Sequence, residues 1–137
     1  MVRELVHDPI LLARISEPAV KEDWAIAQDL LETLIFHEKG CVGMAANMIG
    51  VFKRIIAFND NGKYVVMMNP RIVKADREYE PKEGCLSLLG DPRPVKRFQK
   101  IKVEYQTLDM KLRLKTYEGF TAQIIQHEID HCNGILI

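Results

Sequence analysis

His127, Glu128 and His131 stand in the run Gln126-His127-Glu128-Ile129-Asp130-His131, which contains His-Glu-x-x-His. On a helix, residues four apart share a face, so the two imidazoles can grip one metal ion. Glu128, next to the first imidazole, is placed to handle protons on a water held by such an ion. The five-residue pattern has limited weight alone, because His and Glu are common on solvated helix faces. A third soft ligand changes that weight. Cys85 offers one inside Glu83-Gly84-Cys85-Leu86-Ser87, where the flanking Gly and Ser predict a turn that presents a thiolate. One thiolate and two imidazoles leave a fourth tetrahedral position open, as catalytic sites require. Zinc and ferrous iron both suit that ligand set, so the expectation is one divalent ion, Fe(II) or Zn(II).

The elements that must position these residues fall into three stretches. Ser16-Glu17-Pro18 reads as a helix start, with a capping hydroxyl and a proline suited to the first turn. From Lys21 to His37 the apolar residues Trp24, Ala27, Leu30, Leu31, Leu34 and Ile35 form the stripe of an amphipathic helix, which Lys39-Gly40 ends. Next, Arg54–Phe58 and Lys63–Asn69 flank Asn59-Asp60-Asn61-Gly62, a hairpin signal. Arg71–Ala75 is a further strand candidate after Pro70, and a Gly- and Pro-rich loop from Tyr79 to Pro94 carries Cys85. Ile101, Val103 and Tyr105 alternate with polar residues, as do Leu112, Leu114, Thr116 and Tyr117, which predicts an antiparallel sheet with one buried face. A last helix begins near Gly119 and sets Phe120, Ile124, His127 and His131 on one stripe. Strands followed by a helix predict an α+β fold: antiparallel sheets packed around a C-terminal metal-binding helix, with an amphipathic helix near the N-terminus.

The bulk properties exclude several function classes. At 137 residues the chain reads as one domain spanning 1–137. Lys plus Arg and Asp plus Glu each number 19, so no overall pull toward nucleic acid or anionic membrane is expected. No apolar run approaches the roughly 20 residues that span a bilayer, and the first residues lack the apolar stretch of a signal peptide. With three cysteines, an odd count that cannot all pair internally, a reducing cytoplasmic setting is the default.

Three separated segments together resemble the peptide deformylase family. They are Gln126-His127-Glu128-Ile129-Asp130-His131, Glu83-Gly84-Cys85-Leu86-Ser87, and Cys41-Val42-Gly43-Met44-Ala45-Ala46-Asn47-Met48-Ile49-Gly50, which is similar to the family's glycine-rich first motif. The resemblance implies Cys85, His127 and His131 as metal ligands and Glu128 as proton carrier. It implies an oxyanion donor in the backbone N–H of Leu86, and a substrate that is a nascent peptide carrying N-formylmethionine, from which formate is released. Such peptides bind in extended form beside the glycine-rich segment. Gly43 and Gly84 match backbone positions close to substrate, and Val42, Leu86 and Ile124 match the methionine pocket. Arg97 matches a structural arginine that would pair with Glu83.

Met48 departs from the family, which has glutamine there as an oxyanion donor. A thioether has the same length but no hydrogen to donate. Losing one oxyanion donor costs about 10²–10³ in turnover. Two readings follow: a slow deformylase, or a domain that binds metal and formyl-methionyl peptides without hydrolysing them. A general metallopeptidase would need a third ligand downstream of His131, where only six residues remain. Cys41 also departs, standing in place of a glycine as a small buried thiol, and Cys132 is expected to face the core. The basic C-terminal helix that docks some family members on the ribosome is not expected here.

Overall fold

The computed structural model describes residues 1–85 and 91–137, so Leu86 lies outside the described residues. Helix α1 covers Pro9–Leu12 and α2 covers Trp24–Phe36. The strands are β1 (Gly43–Ala45), β2 (Ile55–Asp60), β3 (Lys63–Tyr79), β4 (Lys82–Glu83), β5 (Arg93–Pro94), β6 (Arg97–Gln106) and β7 (Leu112–Glu118), and α3 (Gly119–Cys132) follows. Five strands form one antiparallel sheet in the order β1-β2-β3-β6-β7, and β4 pairs with β5 separately. Helix α3 lies on the sheet's inner face, so the fold is α+β as expected. Among the described residues, no helix is long and apolar enough to cross a membrane.

The hairpin signal is borne out with a tighter turn than expected. Asp60 pairs with Lys63, and Asn61 and Gly62 take positive φ of 51° and 96°, as a two-residue primed turn requires. Arg71–Ala75 is not a separate strand. It continues β3 through Pro70, with register irregularities between Met68 and Arg71 and between Ile72 and Lys74. The irregularities let one strand turn from β2 to β6, which is how a proline is tolerated there.

Two alternating patterns mislead. On β6, Ile101 and Val103 are buried against α3, but Leu112 and Leu114 of β7 are 62% and 54% exposed. Their register explains this, since Leu114 pairs with Glu104 and Leu112 with Gln106, the outer-facing residues of β6. Tyr117, paired with Ile101, is the residue of β7 that enters the core and meets Phe58 edge-on at 5.9 Å. Helix α2 likewise begins later than Ser16 predicts. Residues Lys21–Asp23 form a 3₁₀ turn, and Ser16 instead donates its N–H to Cys132 O at 2.9 Å. Of the expected stripe, Ala27, Leu30 and Leu34 are buried, while Trp24 is 59% exposed and Ile35 41%.

Two cores result. One holds Ile56, Phe58, Ile101 and Val103 beneath Ala122, Ile125 and Ile129 of α3. The second packs Leu30 and Leu34 of α2 over Met44, Met48, Ile55 and Met68. Each fully buried side chain of this size contributes about 1.5–3 kcal/mol. Both cores share the short β1 segment, which is therefore clamped between α2 and α3.

Candidate metal centre

Helix α3 presents its functional residues on a face fixed at both ends. Gln126, one residue ahead of the first histidine, grips the backbone of β6: it accepts from Phe98 N–H at 2.8 Å and donates to Phe98 O at 2.8 Å. At the other end, Asn47 donates to His131 O at 3.0 Å and Arg54 donates to Cys132 O at 3.2 Å. Gly134 then closes the helix with φ of 73°. A Cβ at Gly134 would lie 2.4 Å from Ala13 O, so only glycine fits there.

Cys85, His127 and His131 converge, their ligand atoms within 4.8 Å of one another. The two histidine Nε2 atoms stand 3.0 Å apart. The other ring nitrogen of His127 is taken, because Nδ1 lies 2.7 Å from Glu83 Oε1. Glu83 is in turn held by Arg97 at 2.7 and 2.9 Å, and Arg97 reaches on to Asp130 at 2.7 Å. This chain of partners fixes the tautomer of His127 and leaves Nε2 for an ion, the usual arrangement behind a ligating histidine. The Arg97–Glu83 pair matches the expectation from the sequence. The bond from Glu83 to His127, the Asp130 arm and the Gln126 clamp were not foreseen. The spacing Asp130-His131 and the Gln ahead of His127 were the signals available for them.

The electrostatics separate the two imidazoles. Burial opposes protonation of His127, but its bonds to Cys85 and Glu83 and the nearby carboxylates outweigh it and hold the ring up at about 10. Burial and the neighbouring His127 push His131 down to about 3. Glu128 is 4% exposed and burial raises its carboxyl to about 7, the range in which one group can both take and release a proton. Its Oε1 is buried with no hydrogen-bond partner among the described residues. A soft thiolate, two imidazole nitrogens 3.0 Å apart and an unsatisfied carboxylate oxygen beside them fit a divalent ion together with its water.

A cavity of about 410 Å³ opens in front of these groups. Helix α3 contributes Phe120, Gln123, Ile124, His127 and Glu128 to its wall, and the opposite wall holds Cys41, Val42, Gly43 and Met48. Gly43 and Gly84 both line it. A Cβ on Gly43 would lie 2.6 Å from Ile124 Cγ2 and 2.9 Å from Glu128 Oε2, whereas one on Gly84 would meet Pro92 Cγ at an ordinary 4.0 Å. Phe120 does not join the buried stripe; it is 62% exposed at the cavity mouth. Met48 is buried, and its Sδ accepts from Ala45 N–H at 3.5 Å. Cys41 is half-buried, packed against the second core on one side and lining the cavity on the other, and burial pushes its thiol up to about 12. Cys132 is buried in the core.

A fold of this kind, with cysteine and two helix histidines around a buried glutamate, defines a metal-dependent hydrolase. The sequence pattern of the polypeptide deformylase family matches residues 4–137. A peptide deformylase of Clostridium beijerinckii is 45% identical over 137 residues, covering 100% of both chains. One from Dictyoglomus thermophilum is 37% identical, covering 100% of this chain and 91% of its own. The class I type b peptide deformylase of Acinetobacter baumannii bound to Met-Ala-Ser superposes with a TM-score of 0.89 at 30% identity, covering 99% of this chain and 97% of that one. The chain belongs to the polypeptide deformylase family.

Proposed function

We propose that this protein hydrolyses the N-formyl group from the amino-terminal methionine of nascent polypeptides in the cytoplasm, as one domain spanning 1–137. The observation that carries the reading is the buried, unpartnered Oε1 of Glu128 beside the Cys85, His127 and His131 donors. Those three residues would hold one divalent ion, Fe(II) or Zn(II). Such an ion supplies a Lewis acid that polarises a carbonyl and acidifies water. Glu128 takes a proton from the attacking water and passes it to the departing amine nitrogen, so that formate and a free amino terminus leave. Ile124 and Val42 line the cavity that receives the methionine side chain, with Gly43 and Gly84 beside the peptide backbone. The related Acinetobacter baumannii enzyme bound to Met-Ala-Ser supports this substrate class, since that tripeptide is what deformylation of formyl-Met-Ala-Ser leaves.

Leu86, whose N–H is the remaining backbone oxyanion donor in this reading, and Met48 complete the site. Met48 supplies no donor: its sulfur already accepts from Ala45 N–H. That contact favours a second reading, a domain that binds formyl-methionyl peptides with little or no turnover. Formate release from formyl-Met-Ala peptide by anaerobically purified, iron-loaded protein separates the two. Turnover in the wild type that Glu128→Ala abolishes supports the enzyme. A silent wild type with metal bound, beside an active Met48→Gln, supports the binder. Failure of both proteins to release formate overturns the account of the site.

A further inference from the structure

The free edge of β1 opens into the cavity, and its hydrogen-bonding groups can be assigned from the register. Among the described residues, strand β1 ends the sheet, with β2 on one side only. Asn59 donates its N–H to Val42 O at 2.8 Å, and Met44 pairs with Ala57. In an antiparallel ladder bonded pairs alternate with unbonded ones, so Gly43 and Ala45 turn their backbone groups away from β2, toward the open edge. One group on each is engaged by sulfur. The Cys41 thiol donates to Gly43 O at 2.9 Å, and the Met48 thioether accepts from Ala45 N–H at 3.5 Å. Cys41 and Met48 are also positions at which the first motif departs from the family pattern. Glu128 lines the facing wall, its Oε2 toward Gly43 and its buried Oε1 without a partner among the described residues.

We infer that Cys41 is an affinity-setting residue: its thiol caps the Gly43 carbonyl, and an extended peptide must displace it to add as a strand along β1. The inference rests on the deformylase reading for the identity of the peptide. A backbone N–H of the peptide would otherwise find Gly43 O free. The thiol is a weak donor, so the cap is displaceable rather than a block. Cys41 acts through Gly43 and takes no part in the reaction, so its effect falls on KM.

The test is formate release across a range of formyl-Met-Ala-Ser concentrations by iron-loaded wild type, Cys41→Ala, Cys41→Gly and Cys41→Ser. Losing a weak hydrogen bond of this kind corresponds to roughly a threefold to tenfold change. KM is expected to fall by that factor in Cys41→Ala and Cys41→Gly, with kcat within twofold. Cys41→Ser, which restores a donor, is expected to keep KM at or above the wild-type value. Cys41→Ala retains the backbone restraint that glycine loses, so agreement between the two removes loop flexibility as the cause. Equal KM in all four proteins, or an effect confined to kcat, overturns the inference. If no protein releases formate, the deformylase reading fails separately, and calorimetric binding of Met-Ala-Ser still decides the cap. Tighter binding by Cys41→Ala than by Cys41→Ser supports it, and equal affinities overturn it.

Discussion

The two walls of the cavity are built differently. The α3 wall is held by short, charge-assisted bonds in series: Asp130 to Arg97, Arg97 to Glu83, Glu83 to His127, with Gln126 clamped to Phe98. Charged pairs of this kind are strong and directional, and removing one member strands a buried charge. The β1 wall is held by its ladder to β2 and by apolar packing, and only its outer edge by two sulfur contacts, Cys41 on Gly43 and Met48 on Ala45. Sulfur bonds weakly and packs adaptably. One wall therefore fixes geometry and the other leaves room for variation. The departures at Cys41 and Met48 both lie on the second wall.

The sharpest test of the contrast is at Glu128. On the α3 wall, Glu128→Gln preserves shape but removes proton transfer, and the other carboxylate of the cavity, Glu83, is committed to His127 and Arg97. Glu128→Gln is expected to lower formate release by about 10²–10⁴, while metal content by plasma emission stays at the wild-type value. Retained activity would mean that the α3 wall is not the reactive one. At Met48 the opposite sign is expected. Met48→Gln keeps the length of the side chain and supplies an amide donor, so turnover rises by up to about 10²–10³ if the oxyanion lies against this wall. Unchanged kcat would place the oxyanion donors elsewhere.

The same contrast explains what the sequence disclosed. The ligand face was legible because its chemistry is local: His127 and His131 are one turn apart, and the helix that carries them is fixed by 3.6-residue periodicity. Cys85 was legible from residue type and its turn-forming neighbours. The support behind them was mostly not legible, because Asp130, Arg97 and Glu83 meet only after α3, β6 and β4 pack together. The Arg97–Glu83 pair came from family resemblance rather than from spacing. Leu112 and Leu114 misled for a related reason. Period-2 alternation shows which residues share a face, not which face the helix covers, and past Tyr117 the helix no longer covers β7. Cys41 reads as a small buried thiol and is half-buried against the second core, but nothing in the sequence says that its other side lines a cavity.

Glu83 links the fold to the metal, and it gives the contrast a pH signature. Burial works to raise the Glu83 carboxyl, but its bonds to His127 and Arg97 outweigh this and hold it down at about 2, from 4.5. A depressed carboxylate contributes stability that is present above the unfolded value near 4.5 and is lost as pH falls toward 2. Over the full shift this is on the order of 3 kcal/mol. Urea midpoints of the wild type are expected to fall through that window, whereas Glu83→Gln starts lower and changes less. Metal affinity of Glu83→Gln is expected to drop about 10–100-fold, the usual effect of losing a partner behind a ligating histidine. Parallel pH profiles for the two proteins would show that the carboxylate is not what holds this wall.

The smallest predicted effect lies where the walls touch. Gly43 sits on β1 with its Cα facing Ile124 and Glu128, and a Cβ there would lie 2.6 Å from Ile124 Cγ2 and 2.9 Å from Glu128 Oε2. One wall must give. Because α3 is pinned to Phe98 through Gln126 and to Arg54 through Cys132 O, the displacement in Gly43→Ala should be taken by β1, whose outer edge is held by weaker bonds. Overpacking of this size costs about 1–3 kcal/mol. Urea unfolding should show that loss in Gly43→Ala, and Ile124→Ala in the same chain should recover part of it by removing Cγ2. Metal affinity should stay at the wild-type value, because the ligands move little. If metal affinity fell with stability, α3 would be the wall that moved, and the division between a fixed wall and an adaptable one would not hold.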